Sequence, residues 1–458
     1  MFGRKKIDPP GVLIGKGVNF ANPMDLIDIR VSDADRQRHL FVFGTTGVGK
    51  TRLCELLIEQ DIRKGHSIVF FDPKGDQEIF TKIYDVAVDC AREKEMMLVT
   101  PVYPEYSAVI DPLSHFFSDD ELVDHVISAI PISKESFYRD NARQIAMAVI
   151  KGNNILARAE GRPPMMNLDL LRQSIDRESM EDMRASLLKV TDPEGRVLAG
   201  ILGGLLNTPV DYYYKISMTL LTCLTHLSTG NVGELIGRAN SNKFIDNLEK
   251  NEPVILVVHT GSMLTGEAGV TLGKVLLSMI HKFVGRTYAS DRRHADPALS
   301  IYIDEAQSML FEGIEDMFAK VGSANVMMTA FAQSVNQIYA VVGQERGKSI
   351  LDNTNTKIFM RCADADTAEY VSAHFGDVNK LDAIFGTAQV TTREVEKKVV
   401  PAQDVLALQR QEFFLMTYSG LYRGKTTTTK PPGFFIKFPS TPRGGSQSFV
   451  KKESTDAN

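Results

Sequence analysis

The 458-residue chain has few cysteines, little net charge and no long apolar run, and each shortage excludes something. Its four cysteines, Cys54, Cys90, Cys223 and Cys362, show no Cys-x-x-Cys spacing. That argues against a thiolate metal site and for a reducing compartment, with the cysteines as buried apolar residues. No apolar stretch approaches the roughly 18 residues that cross a bilayer. The start, Met1 to Lys6, is basic but runs into Asp8-Pro9-Pro10 without an apolar core, so it does not read as a secretory signal, and a cytoplasmic protein is expected. With a net charge of −5, any contact with nucleic acid has to come from local basic patches. No internal repeat appears at solenoid periods. What the chain does have, 43% hydrophobic and 24% charged residues, is enough for a sizeable core and more than one domain.

One glycine-rich motif stands out. Residues 44 to 51 read Gly-Thr-Thr-Gly-Val-Gly-Lys-Thr, the full G-x-x-x-x-G-K-[ST] pattern, directly after the strand-like run Leu40-Phe41-Val42-Phe43. Gly44, Gly47 and Gly49 let the backbone curl so that successive N–H groups point at a phosphate. The amphipathic stretch Arg52 to Ile62 then supplies a helix with a positive N-terminus. Lys50 can reach β- and γ-phosphate oxygens, and the Thr51 hydroxyl can ligate Mg²⁺. The candidate nucleotide-binding set is therefore Gly44, Thr45, Thr46, Gly47, Val48, Gly49, Lys50, Thr51 and Arg52.

A phosphate loop needs a carboxylate strand, and Leu299-Ser300-Ile301-Tyr302-Ile303 ends in Asp304-Glu305. One carboxylate cannot readily serve both metal and nucleophile, so Asp304 is expected to hold the Mg²⁺ shell and Glu305 to polarise the attacking water. That pairing favours ATP over GTP hydrolysis. Val326 to Ala332 ends in Gln333, placed to sense the γ-phosphate. Further buried strands are expected at Ser67 to Phe71, ending in Asp72-Pro73-Lys74-Gly75-Asp76, at Met96 to Val99 and at Pro253 to Val258. The alternation predicts an α/β fold with a mainly parallel sheet and ligands at the carboxyl ends of its strands.

Between Asp119 and Ile236 helical periodicity replaces strand signals, in Glu121 to Ile130, Tyr138 to Ala157, Leu168 to Ile175, Met180 to Val190 and Ile216 to Leu227. Arg139, Arg143, Arg158, Arg162, Arg172 and Arg177 lie there with acids among them, which suits a solvated surface as well as a nucleic-acid or partner face. The expected division is 1–118 and 237–428 as two parts of a nucleotide-binding domain, 119–236 as an all-α insert and 429–458 as a flexible or docking tail rich in proline, serine and glycine.

In order along the chain, GTTGVGKT, FFDPKGD, VIDPLSHF, SFYRDNARQ, IYIDEAQ, AFAQS, NTNTKIFMRCADADTAEYVSAHFG and VVPAQDVLAL resemble the type IV secretion coupling proteins, the TraD- and TrwB-like conjugative ATPases, over about residues 11 to 425. The phosphate loop is generic. The DPKG, AQS and ADADTA segments in this order are more specific. The resemblance implies a RecA-like P-loop domain interrupted by an all-α domain, a homo-hexameric ring with ATP between neighbours, and delivery of relaxase-bound single-stranded DNA or protein effectors to secretion-channel subunits. Such proteins usually begin with a membrane anchor. None is recognisable here, so attachment at the cytoplasmic face of the inner membrane would come from a separate subunit or have been lost.

In a ring, a neighbour's cation can stabilise transition-state charge. Arg361 is the first candidate and Arg346 the second. Two readings remain, an ATP-driven motor, favoured by Glu305, and a nucleotide-gated docking receptor for protein substrates. A DNA-pumping ATPase of the FtsK or HerA type is disfavoured by the DPKG and ADADTA segments.

Overall fold

The computed structural model describes residues 11–132, 136–385 and 390–439. Its strands are β1 (Val12–Asn19), β2 (Asn22–Val31), β3 (Leu40–Phe43), β4 (Ser67–Asp72), β5 (Met96–Val99), β6 (Ile255–His259), β7 (Leu299–Ile303), β8 (Val326–Ala332), β9 (Thr356–Phe359), β10 (Asp377–Phe385), β11 (Val390–Lys398), β12 (Glu412–Thr417) and β13 (Gly420–Thr426). Eleven of these form one sheet in the order β2-β1-β13-β12-β9-β3-β8-β7-β4-β6-β5, while β10 and β11 pair apart from it. The run from β9 to β5 is parallel. The remaining edge, β12 to β2, is antiparallel.

The parallel strands read as continuous apolar runs because both of their faces are covered. Successive side chains alternate between faces. Phe41, Phe43, Val69 and Phe71 join one buried cluster, and Leu40, Val42, Ile68 and Phe70 join the other. The helices Lys50–Arg63 and Gln77–Asp89 cover the second face through Leu53, Leu57, Ile79 and Ile83. The helix Glu267–Ala289 covers the first. The helices between β5 and β6, from Asp119–Ser128 to Lys243–Glu249, add their buried side chains to that same first cluster, so this segment packs as an extension of the sheet's core.

The expectation of an α/β fold with a mainly parallel sheet holds. The helix Pro193–Leu206 was not expected, because its sequence carries glycine at 195, 200, 203 and 204, which weakens helix propensity. Packing explains Gly203, since a Cβ there would stand 3.0 Å from Arg184 Nε. The antiparallel edge was not expected either. β1 is interrupted by glycines, β2 is mostly exposed, and both are held by long-range pairing such as Gly15 with Thr426.

The six arginines singled out in the helical segment are engaged within the chain. Arg139 pairs with Glu312 at 3.0 Å, Arg143 with Asp124 at 2.7 Å, Arg158 with Asp119 at 3.4 Å, Arg162 with Glu160 at 2.5 Å and Arg172 with Asp169 at 2.9 Å. Arg177 donates to the carbonyls of Leu206 and Thr208. Part of the expected tail is also packed. Ile436 N donates to Thr81 Oγ1 at 3.1 Å, Lys82 Nζ to the Lys430 carbonyl at 2.8 Å, and Phe438 stacks on Tyr103 at 4.9 Å. Residues 440–458 lie outside the described residues. Among the described residues no helix is long and apolar enough to cross a membrane.

Candidate active site

The loop of residues 44–49 joins β3 to the helix Lys50–Arg63 and is pinned from three directions. Gly44 N donates to the Ala332 carbonyl at 3.2 Å, Thr45 N to the Arg361 carbonyl at 2.9 Å, and Gln411 N to the Val48 carbonyl at 2.8 Å. Gly47 (φ 77°) and Gly49 (φ 115°) are left-handed, a conformation that side chains resist. Beyond its chain neighbours nothing lies within 4 Å of where a Cβ on Gly47 would stand, and Thr46, Gly47, Gly49 and Lys50 line an open cavity.

Lys50 is 7% exposed and turns back over the loop, donating to the carbonyls of Gly44 (2.6 Å) and Thr45 (3.1 Å). Burial lowers its pKa, opposed by the charges of Glu305 and Asp304. Among the described residues it has no ion pair, so a buried cation held only by carbonyls faces an open cradle of N–H groups. That donor set fits an anionic phosphate. Thr51 lines the adjoining cavity with Lys50, Arg52, Lys74, Asp76 and Arg410. Arg52 is bound by acids, Glu55 at 2.9 Å and Glu78 at 3.0 Å.

The carboxylates emerge between neighbouring strands. β7 places Ile303 opposite Phe71 of β4 and Ala330 of β8, so Asp304 follows at the carboxyl edge and its N–H donates to the Phe71 carbonyl at 2.9 Å. Glu305 has φ 46° and ψ 54°, a left-handed conformation rare outside glycine and asparagine. Its carboxylate, 8% exposed, receives Lys74 Nζ at 2.7 Å, Gln307 Nε2 at 2.6 Å and Gln333 Nε2 at 3.3 Å. Burial pushes Glu305 up, but the hydrogen bonds from Lys74 and Gln307 outweigh it and hold the carboxyl below its usual value. Asp304 is raised, chiefly by burial, with Lys74 opposing. The sequence put Asp304-Glu305 and Gln333 at strand ends; the structure makes those strands, β7 and β8, neighbours and brings Glu305 and Gln333 within hydrogen-bond reach.

Arg361 is exposed and shares a cavity with Thr45 to Val48 and Arg410 of its own chain. Arg346 is held by Glu312 and by Glu315 at 3.9 Å. Three residues beside the site escaped the sequence reading. Lys74 and Gln307 sat inside quoted motifs, a signal left unused. Arg410 had no local signal, because it reaches the loop through contacts far apart in sequence, such as the bond from Gln411 N to the Val48 carbonyl.

Comparison with known proteins follows the same parts. Residues 298–410 match the family model described as the TraM recognition site of TraD and TraG, and residues 21–134 match that of the helicase HerA central domain. The type 4 coupling protein DotL of Legionella pneumophila is 21% identical over 399 residues, covering 76% of this chain; the chain spans about half (51%) of that relative's length. Among solved structures, the unbound coupling protein TrwBdeltaN70 aligns with a TM-score of 0.64 at 16% identity over 91% of this chain and 90% of that one. TrwB in complex with ADP and Mg²⁺ aligns at 0.63, again at 16% identity, over 93% and 92%. VirB4 of Thermoanaerobacter pseudethanolicus aligns at 0.55 with 12% identity over 92% and 97%. Sequence segments and fold converge: the chain is similar in sequence to a type 4 coupling protein and shares the fold of the coupling protein TrwB.

Proposed function

We propose that the chain is an ATP-hydrolysing coupling protein of a type IV secretion or conjugation system, acting as motor and substrate receptor at a homo-hexameric ring. The observation that carries this is the convergence of Lys50, Asp304, Glu305 and Gln333 at the carboxyl edge of adjacent parallel strands, around a cradle open to phosphate. The backbone of residues 44–52 holds the phosphates of ATP. Thr51 and Asp304 would hold Mg²⁺, which would supply charge neutralisation at the phosphate oxygens. Glu305 takes the proton of the attacking water on its carboxylate, Gln333 orients that carboxylate and senses the γ-phosphate, and Arg361 offers a cation to the same site.

Residues 1–118 and 237–428 form the nucleotide-binding domain in this reading, 119–236 the inserted domain and 429–458 the tail. The cargo is single-stranded DNA with its relaxase, or protein effectors, handed to channel subunits at the cytoplasmic face of the inner membrane, with a separate anchor protein as a further partner. One observation favours the protein-receptor variant. Six of the segment's arginines, Arg139, Arg143, Arg158, Arg162, Arg172 and Arg177, are each paired with an acid or a carbonyl of the chain itself.

The test is turnover and binding with two variants. Lys50→Ala is expected to lose ATP binding, whereas Glu305→Gln binds ATP normally and hydrolyses it about 10²-fold or more slowly. Parental hydrolysis by Glu305→Gln would refute the assignment of the base. Stimulation by single-stranded DNA at low salt, fading steeply as salt rises, would identify DNA as the cargo.

A further inference from the structure

Lys74 has no role in that scheme, yet it is the cation nearest the acids. Its turn is built to hold it. The buried Asp72 carboxylate accepts Lys74 N at 2.8 Å and Asp76 N at 2.6 Å, Gly75 takes φ 73°, and the Pro73 carbonyl accepts Ser262 N at 2.8 Å. From this fixed backbone the side chain spans to Glu305 Oε1 at 2.7 Å and to Asp304 Oδ2 at 3.5 Å. Among the described residues neither acid has another ion pair, and Lys74 lines the same cavity as Lys50 and Thr51.

An ordinary exposed ion pair contributes at most about 1 kcal/mol and positions nothing. Here both acids are nearly buried at a strand end and Glu305 is held in a strained backbone, so its direction depends on what grips its carboxylate. Lys74 also rests on Asp304, the oxygen ligand assigned to Mg²⁺, where a cation bound by oxygen ligands would compete with the ammonium.

We propose that Lys74 is a positioning residue for the ATPase site, fixing the direction of the Glu305 carboxylate while occupying Asp304 until a metal-bound nucleotide replaces it there. This rests on the function proposed above. Lys74→Met should lower kcat on the order of 10- to 100-fold, the scale on which groups supporting a site's ligands act, while the Kd of a fluorescent ATP analogue changes less than about 3-fold. Lys74→Arg, which keeps the cation, should restore kcat to within about 5-fold of the parent.

Independently of turnover, the Mg²⁺ concentration that half-saturates analogue binding should fall in Lys74→Met, since the competing ammonium is gone. Thermal unfolding of both variants separates a folding defect from a positioning one. A Lys74→Met protein that folds and keeps parental kcat and Mg²⁺ dependence overturns the proposal. Failure of the parent protein to hydrolyse ATP, with Lys50→Ala binding the analogue as well as the parent, would overturn the underlying function instead.

Discussion

At the scale of single residues, charge burial separates structure from chemistry. Arg36 and Asp61 are almost wholly buried and meet in a bidentate pair at 2.7 and 2.6 Å, and Tyr302 donates to Asp61 Oδ2 at 2.5 Å. Burial would raise the Asp61 carboxyl, but the Arg36 guanidinium overrides it and holds it well below the usual range. Every polar atom of the carboxylate is used, so this cluster is structural. Asp61→Asn should destabilise the protein by about 3–5 kcal/mol, because it strands a buried guanidinium. Urea denaturation measures this, and a loss below about 1 kcal/mol would show that the interior is wetter or more adaptable than the packing implies.

Lys50 is the contrasting case. It is also buried but among the described residues is satisfied only by loop carbonyls, so it has charge left for a ligand. Arg361, expected from the sequence as a neighbour's cation, is exposed and lies beside the loop of its own chain. Mixing Arg361→Ala with Glu305→Gln should therefore restore no turnover in demonstrated mixed assemblies. Rescue would mean that the arginine is donated to a neighbour.

Among the elements, the segment 430–439 crosses the helix Gln77–Asp89 as a strap. Phe438 packs on Phe80 at 5.8 Å as well as on Tyr103, and Phe434 meets Tyr84 edge-on at 6.0 Å. Aromatic pairs of this kind contribute about 0.5–1.5 kcal/mol each beyond burial. The helix under the strap is capped by Asp76, which lines the candidate cavity. Truncation after residue 429 should speed amide exchange in Gln77–Asp89 by on the order of 10-fold, since each 1.4 kcal/mol lost raises local opening tenfold. Unchanged exchange would mean that the strap merely rests on the surface. Composition suggested a disordered or docking tail because of Pro431-Pro432, Pro439-Ser440-Thr441-Pro442 and Gly444-Gly445-Ser446. That says nothing about Phe434, Ile436 and Phe438, whose partners lie far away in sequence.

For the whole molecule, burial of histidine ties stability to pH. Burial lowers His39, His259 and His281 to about 4 and His125 to about 3, from an ordinary 6.5. These groups stay neutral when folded and take up protons when unfolded. Stability is therefore full above about pH 6.5 and falls as pH drops toward 4, at about 1.4 kcal/mol per pH unit for each proton bound on unfolding. The depressed Asp61 adds a further loss at lower pH. The urea midpoint should drop clearly between about pH 7 and about pH 5. A constant midpoint would contradict the burial of these rings.

Much of the fold and of the site was readable in local pattern. A parallel strand buried on both faces must be an apolar run, so β3, β4, β5, β6, β7 and β8 announced themselves, and glycine, lysine and paired acids at their ends marked the phosphate loop, Asp304 and Glu305. What local pattern could not decide is which distant groups meet. The pairing of β1 with β13, the grip of Lys74 on Glu305, the approach of Arg410 to the loop and the pairing of Arg139 with Glu312 all depend on how far-separated segments pack. A charge carries no record in its own neighbourhood of the partner that will neutralise it, and that partner is chosen when the sheet and helices come together.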